Sequence, residues 1–265
     1  MHNSGNQSLL AENKLSPILS EFETVTLDEM KSVALMKRSD IKYVMNVSML
    51  TEVLENLTKY YKVLEIKDKR ENNYQTLYFD TSDLEMYRSH HNGVMNRYKV
   101  RIREYMDSAE SFMEVKFKNN KGVTQKNRIK VPAIRAYFDN DAEKFISEIS
   151  KFRAEDLQPV LWNRYTRITL VSKTSIERVT IDLNLEFANS NQDKVVDLQG
   201  IVIAEVKKDG LVHKSDFVRL MSEKSVREEG FSKYCIGVSV LYNNVKKNNF
   251  KEKVLLVNKL AGRIC

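Results

Sequence analysis

Cysteine, proline and glycine are scarce in this chain of 265 residues, with two, three and eight copies respectively. The two cysteines, Cys235 and Cys265, have neither metal spacing nor a disulfide framework, which suits a reducing compartment. So little proline and glycine leaves no room for long linkers, and disorder is expected only at the ends. No apolar run of about 18 residues occurs, so no membrane-spanning helix is expected. The opening stretch MHNSGNQSLLAENKLSP has no basic segment followed by an apolar core, so no signal peptide is expected, and the expected compartment is the cytoplasm. Neither a phosphate loop ending in lysine nor a GxGxxG turn is present. His90 and His91 have no third ligand nearby and read as a loop pair. Trp162 and Cys235 read as core residues.

What the chain does have is basic residues in blocks. There are 43 Lys and Arg against 36 Asp and Glu, a net charge of +7, and a hydrophobic fraction of 42%, enough for a core. A basic balance points to anionic partners. In RYKVRIREY, Arg97, Lys99, Arg101 and Arg103 alternate with Tyr98, Val100 and Ile102. Side chains of a strand alternate between its two faces, so one face would carry four cations and the other would be apolar. The pattern recurs. Glu114, Lys116 and Lys118 share a face against Met113, Val115 and Phe117; Lys126, Arg128 and Lys130 align, as do Tyr165 and Arg167; Arg178, Thr180 and Asp182; Glu205 and Lys207; and Arg38, Asp40 and Lys42.

A wet face of an antiparallel sheet produces such alternation without any function. Solvent faces, however, usually mix Thr, Ser, Gln, Glu and Lys, whereas here Arg and Lys take consecutive same-face positions on at least five strands. Like charges side by side on an open sheet repel. A closed sheet with its cations turned inward could hold an anion instead. Strand patterns fall near 33–44, 74–80, 94–105, 111–118, 123–131, 160–171, 176–187, 201–207 and 234–241, with a hairpin turn at 120–122. Helical spacing falls at 49–61, at 141–152 with Asn140 and Glu143 placed like a capping box, at 215–225 with Ser215 as N-cap, and near the C-terminus. The expected fold is therefore α+β: a closed antiparallel β-barrel of about eight strands, forming a basic tunnel with helices packed outside. Residues 1–24 read as a tail, 25–242 as the tunnel domain, and 243–265 as a basic tail or short helix.

The stretches IKY, YFDT (78–81), VRIREY, EVKFK, YTRITL, RVTID, AEVK and FSKYCIGV (231–238) together resemble the VTC domain, the polyphosphate polymerase domain of the vacuolar transporter chaperone family, over roughly residues 30 to 242. That family belongs to the triphosphate tunnel metalloenzymes, relatives of the CYTH proteins. The resemblance implies a basic tunnel that takes the γ-phosphate of ATP and extends a phosphate chain with Mn²⁺ or Mg²⁺. Carried over by motif, Arg101, Arg103, Lys116 and Lys233 are the expected catalytic residues. Lys42, Lys126, Arg128 and Arg167 are expected to bind substrate, joined on the face pattern by Arg97, Lys99, Lys118, Arg178 and Lys207. Glu205 is the expected metal ligand, with Glu114 as the next candidate. Asp40 departs from the glutamate usual in relatives. No SPX domain is present, so the chain resembles the stand-alone bacterial form.

Three functions compete. The first is an ATP-dependent polyphosphate polymerase. The second is a metal-dependent tri- or polyphosphatase of the same fold, and the third a non-catalytic polyanion-binding module. Nucleic acid is disfavoured, because no basic-aromatic platform is present. The basic end, 246–263, reads as a solvated segment, with a membrane-protein partner or acidic lipid as the alternative.

Overall fold

The computed structural model describes residues 15–32, 38–209 and 214–262. Residues 1–14 of the expected tail, 33–37 of the first expected strand, and Cys265 lie outside the described residues. The strands are β1 (Thr24–Val25), β2 (Arg38–Asn46), β3 (Tyr61–Leu64), β4 (Glu71–Thr81), β5 (Arg97–Tyr105), β6 (Glu110–Lys118), β7 (Thr124–Val131), β8 (Leu157–Ser172), β9 (Glu177–Asn189), β10 (Val195–Leu198) and β11 (Ile201–Asp209). The helices are α1 (described over 15–20), α2 (Leu27–Ser32), α3 (Leu50–Leu57), α4 (Glu85–His91), α5 (Asn140–Ile149), α6 (Asp216–Glu223), α7 (Lys233–Leu241) and α8 (Lys251–Leu260).

All strands join one sheet of order β2-β11-β9-β8-β4-β5-β6-β7, antiparallel along this path. β10 pairs with β9 and β3 with β8, and β1 adds to β3 in parallel. The α+β class holds, but among the described residues the barrel does not close: β2 and β7 end the path and do not pair with each other. The edge of β2 is taken elsewhere. Glu229 N donates to Lys42 O at 2.8 Å, and Tyr43 bridges to Glu228. The chain entering α7 thus occupies backbone groups that a closing strand would need. β1, β3 and β10 were not foreseen, being too short to display a period of two.

The sheet nevertheless curls. Lys116 on β6 and Glu205 on β11 are five strand steps apart along the path β6-β5-β4-β8-β9-β11. A flat sheet would separate them by roughly 24 Å at about 4.8 Å per step. Yet Glu205 and Lys42 both act on the Lys116 ammonium. The cationic faces therefore turn inward toward one another. On the convex side Val100, Ile102, Met113 and Val115 are buried beneath Ala142 and Ile146 of α5, together with Phe152. Ile168, Leu170, Val179, Ile181, Val202 and Val206 are covered by α1, α3 and α6. Leu15, Ile18, Leu19 and Phe22, within the segment read as a tail, are buried there too.

Three local expectations are corrected. Residues 233–241 form helix α7, not a strand. Ser232 Oγ caps it by accepting from Cys235 N at 3.3 Å, and the helix is apolar on every side because it is buried on every side. A helix without a polar face reads like a buried strand. Helix α5 is capped by Asp139, whose side chain accepts from Ala142 N at 2.9 Å, not by Asn140. His90 and His91 stand in the last turn of α4, not in a loop. His91 Nε2 accepts from Asn249 N at 3.3 Å, a contact that docks the chain before α8. Ser215 caps α6 as expected, accepting from Val218 N at 3.2 Å.

Candidate functional site

Strand register builds the concave face. Arg101 stands opposite Glu114 on β6 and Tyr78 on β4, Lys99 opposite Lys116, and Arg97 opposite Lys118. On β7, Lys126 faces Lys116 and Arg128 faces Glu114. Across the sheet Arg167 stands opposite Asp182, Arg178 opposite Lys207, and Lys42 opposite Glu205. Lys233 reaches this face from the first turn of α7, where it bonds Asp182 and sits 4.7 Å from the Tyr165 ring centre. Tyr234 of α7 stacks on Tyr78 at 5.2 Å, and Lys99 Nζ donates to Ser232 Oγ at 2.9 Å. Helix α7 therefore lies on the concave side, against the expectation that every helix packs outside.

Three carboxylates organise the face, each held by two cations. Glu114 bonds Arg101 at 2.7 Å and Lys126. Asp182 accepts from Arg167 Nε and Nη2 at 2.5 and 2.8 Å, and from Lys233. Glu205 accepts from Lys207 Nζ at 2.7 Å and from Lys42. Burial opposes the charge of each, but the paired cations prevail and hold all three carboxyls far below the usual carboxylate range. Asp182 is a residue of this face to which the sequence reading assigns no role. Its signal was the period of two in RVTID, which puts it beside Arg178 and Thr180.

More cations share the face than these carboxylates pair. Burial, then the Lys99, Arg101 and Lys42 charges, lower the Lys116 pKa to about 7. Burial and Arg101 lower Lys126 to about 8, against the pull of Glu114. Arg103 is buried, with Nε donating to Thr76 Oγ1 at 3.2 Å and its guanidinium beside the Tyr74 and Tyr165 rings. These residues form two neighbouring groups that share Arg101. One holds Lys42, Lys99, Lys116, Lys126, Glu114 and Glu205; the other holds Arg103, Arg167, Asp182, Lys233 and their tyrosines. Arg97, Lys118, Arg128 and Arg178 lie around these groups. Arg97 and Lys118 act on the half-buried His90, and Arg128 stacks on Phe112 at 4.6 Å on the open edge strand.

Among the described residues, no three His, Cys, Asp or Glu side chains come together as a metal cage. The donor set fits a hard divalent ion only in part. Glu205 is a single carboxylate, more open than Glu114 (18% against 1% side-chain exposure). An ion held there would take its other ligands from phosphate oxygens and water, the mode usual for Mg²⁺.

The VTC domain family matches residues 37–242. The chain belongs to this family. Among solved structures, it is similar to a candidate adenylyl cyclase from Hippeastrum with a dominant triphosphatase activity, at 13% identity and a TM-score of 0.49, covering 79% of this chain and 98% of that one. It is also similar to a candidate adenylate cyclase from Vibrio parahaemolyticus, at 11% identity and a TM-score of 0.46, covering 74% and 95%. A third, from Bacillus halodurans, has 12% identity and a TM-score of 0.47, covering 78% and 100%. Likeness at this level says nothing of activity. No curated protein matches the sequence. Among the described residues, no helix of this VTC domain protein is long and apolar enough to cross a membrane.

Proposed function

We propose that this protein is an ATP-dependent polyphosphate polymerase that moves the γ-phosphate of ATP onto a phosphate chain held along the concave face. The observation that carries the reading is the paired construction of that face. Three carboxylates each hold two cations, and further cations stand beside them without a carboxylate, all within a VTC domain. A polyphosphate bears about one charge per unit. It can replace the carboxylates as partner to these cations without moving a strand.

Phosphoryl transfer asks little covalent chemistry of the protein, and positioning and charge neutralisation dominate. In this reading Arg101 and Arg103 grip non-bridging oxygens through their planar guanidinium groups. Lys116 and Lys233 bring ammonium groups to the oxygens where charge builds up. Lys42, Lys99, Lys126, Arg167 and Lys207 hold the rest of the chain, and Arg97, Lys118, Arg128 and Arg178 draw anions toward it. Glu205 would hold Mn²⁺ or Mg²⁺, which supplies charge neutralisation on the phosphate oxygens. Lys42 and Lys207, now bonded to Glu205, would then be free to turn to phosphate.

The test is incubation of the purified protein with ATP and Mn²⁺. Long-chain polyphosphate together with ADP is the expected product. Free phosphate alone would make the protein a triphosphatase, and no turnover with tight triphosphate binding would make it a binding module.

A further inference from the structure

At one end of the sheet, the loop from α4 to β5 and the hairpin from β6 to β7 form a common tip. Asn120 N donates to Asn96 Oδ1 at 3.0 Å across the two loops, and Arg97 stands opposite Lys118 just behind them. The hairpin is a closed turn. Asn119 Oδ1 accepts from Lys121 N at 3.0 Å and from Val123 N at 2.9 Å, and Gly122 supplies the left-handed residue at φ +77°. This tip presents apolar side chains to water: Val94, Met95 and Val123 are 47%, 57% and 54% exposed. Single exposed apolar residues are ordinary, but here three meet on two tied loops. Charge at the tip has one sign. Residues 86–103 and 115–138 contain no Asp or Glu. Tyr87 Oη donates to Lys246 O at 2.6 Å, and Asn249 Nδ2 to His91 O at 2.7 Å, which brings the connector carrying Lys246 and Lys247 beside the end of α4. Asp83 and Glu85, at the other end of α4, are paired with Arg88 and Lys151.

We propose that this tip docks the protein on an anionic lipid surface, with Val94, Met95 and Val123 entering the headgroup layer and the flanking cations on lipid phosphates. A soluble polyanion gains nothing from exposed valine and methionine, and a purely apolar partner gains nothing from the cations. An acidic bilayer surface uses both, because apolar side chains enter the interface while Lys and Arg meet its negative potential. The tied loops hold their apolar side chains ready, so little ordering is needed on contact. The proposal goes beyond phosphate transfer and does not depend on it. It would set one end of the concave face against the membrane.

The test is sedimentation of the full chain with vesicles of phosphatidylcholine alone and of phosphatidylcholine mixed with phosphatidylglycerol. The protein should pellet with the anionic vesicles and stay in solution with phosphatidylcholine alone. Met95→Ser combined with Val123→Ser should weaken binding by about tenfold or more, the worth of withdrawing two apolar side chains from the interface. Lys121→Gln should weaken it by about fivefold, the worth of one basic residue at an anionic surface. Ile176→Ser, exposed at the β8–β9 turn on the opposite end of the sheet, should change nothing. All the substituted side chains are exposed, so every variant should melt with the parent, and the loss of binding is then not a loss of fold. Equal binding by the parent and the tip variants, or equal binding to both kinds of vesicle, would overturn the proposal. So would failure to bind either vesicle. Self-association that Met95→Ser with Val123→Ser abolishes would in that case assign the tip to a second copy of this chain.

Discussion

At Glu114, Asp182 and Glu205 a single carboxylate holds two cations, and the chemistry of the face follows from what happens when one member is lost. Glu205→Gln keeps the shape but leaves Lys42 and Lys207 facing each other with only an amide between them. The empty protein should lose about 1–3 kcal/mol, the usual cost of stranding a partly buried donor, and Mn²⁺-dependent turnover should vanish. Chemical denaturation and a manganese titration read the two effects. Unchanged turnover would place the metal elsewhere. Lys116 and Lys126 make a second prediction. Their folded pKa values, about 7 and about 8, lie below the ordinary lysine value of 10.5. Between these limits the unfolded chain binds more protons, so the empty protein should gain stability as pH rises from about 7 toward 10. A bound polyanion favours the charged lysines, so triphosphate binding at pH 8 should take up protons. Calorimetry in buffers of different ionisation enthalpy would detect the uptake, and proton release would contradict it. Most of these residues could be read from the sequence, because a period of two assigns faces. The pairing could not, since which cation meets which carboxylate depends on strand order.

Helix α7 was the element least legible in the sequence. A uniformly apolar stretch has no periodicity to separate helix from strand, and only its contacts decide. Two of the stretches that carry the family resemblance, YFDT and FSKY, turn out to be joined through it. Asp80 is buried and accepts from Met86 N and Tyr87 N at 2.9 Å each, which ties down the start of α4, and it also accepts from the Tyr234 hydroxyl. The Tyr234 ring in turn stacks on Tyr78, whose hydroxyl accepts from Arg101 at 3.2 Å. This contact holds α7, and hence Lys233, against the concave face. Tyr234→Phe should therefore destabilise the protein by about 1–3 kcal/mol and lower kcat more than it raises the KM for ATP. A loss confined to stability, with kinetics unchanged, would make the bond purely structural. Helices α3, α5 and α6 were easier to anticipate, because each has one apolar stripe against the sheet and a polar side outside.

In the whole molecule the usual arrangement of a sheet is inverted. Apolar faces look outward to helices, and charged faces look inward to one another except where α7 packs on apolar concave residues such as Leu161 and Phe187. The antiparallel sheet and this inversion were legible, because alternation repeats on strand after strand. Closure was not, because it turns on whether β2 and β7 meet, and Glu228 and Glu229 occupy the β2 edge instead. The concave cations repel one another in the empty protein, and a polyanion that binds only the folded state relieves that repulsion. The most direct test of this account is a thermal melt with triphosphate against sulfate at equal ionic strength. At a hundredfold excess over the dissociation constant, triphosphate should add roughly 2.7 kcal/mol. For a chain of this size that raises Tm by roughly 5–10 °C, and sulfate should raise it far less. Equal shifts with the two anions would mean that the inward cations form no polyphosphate site.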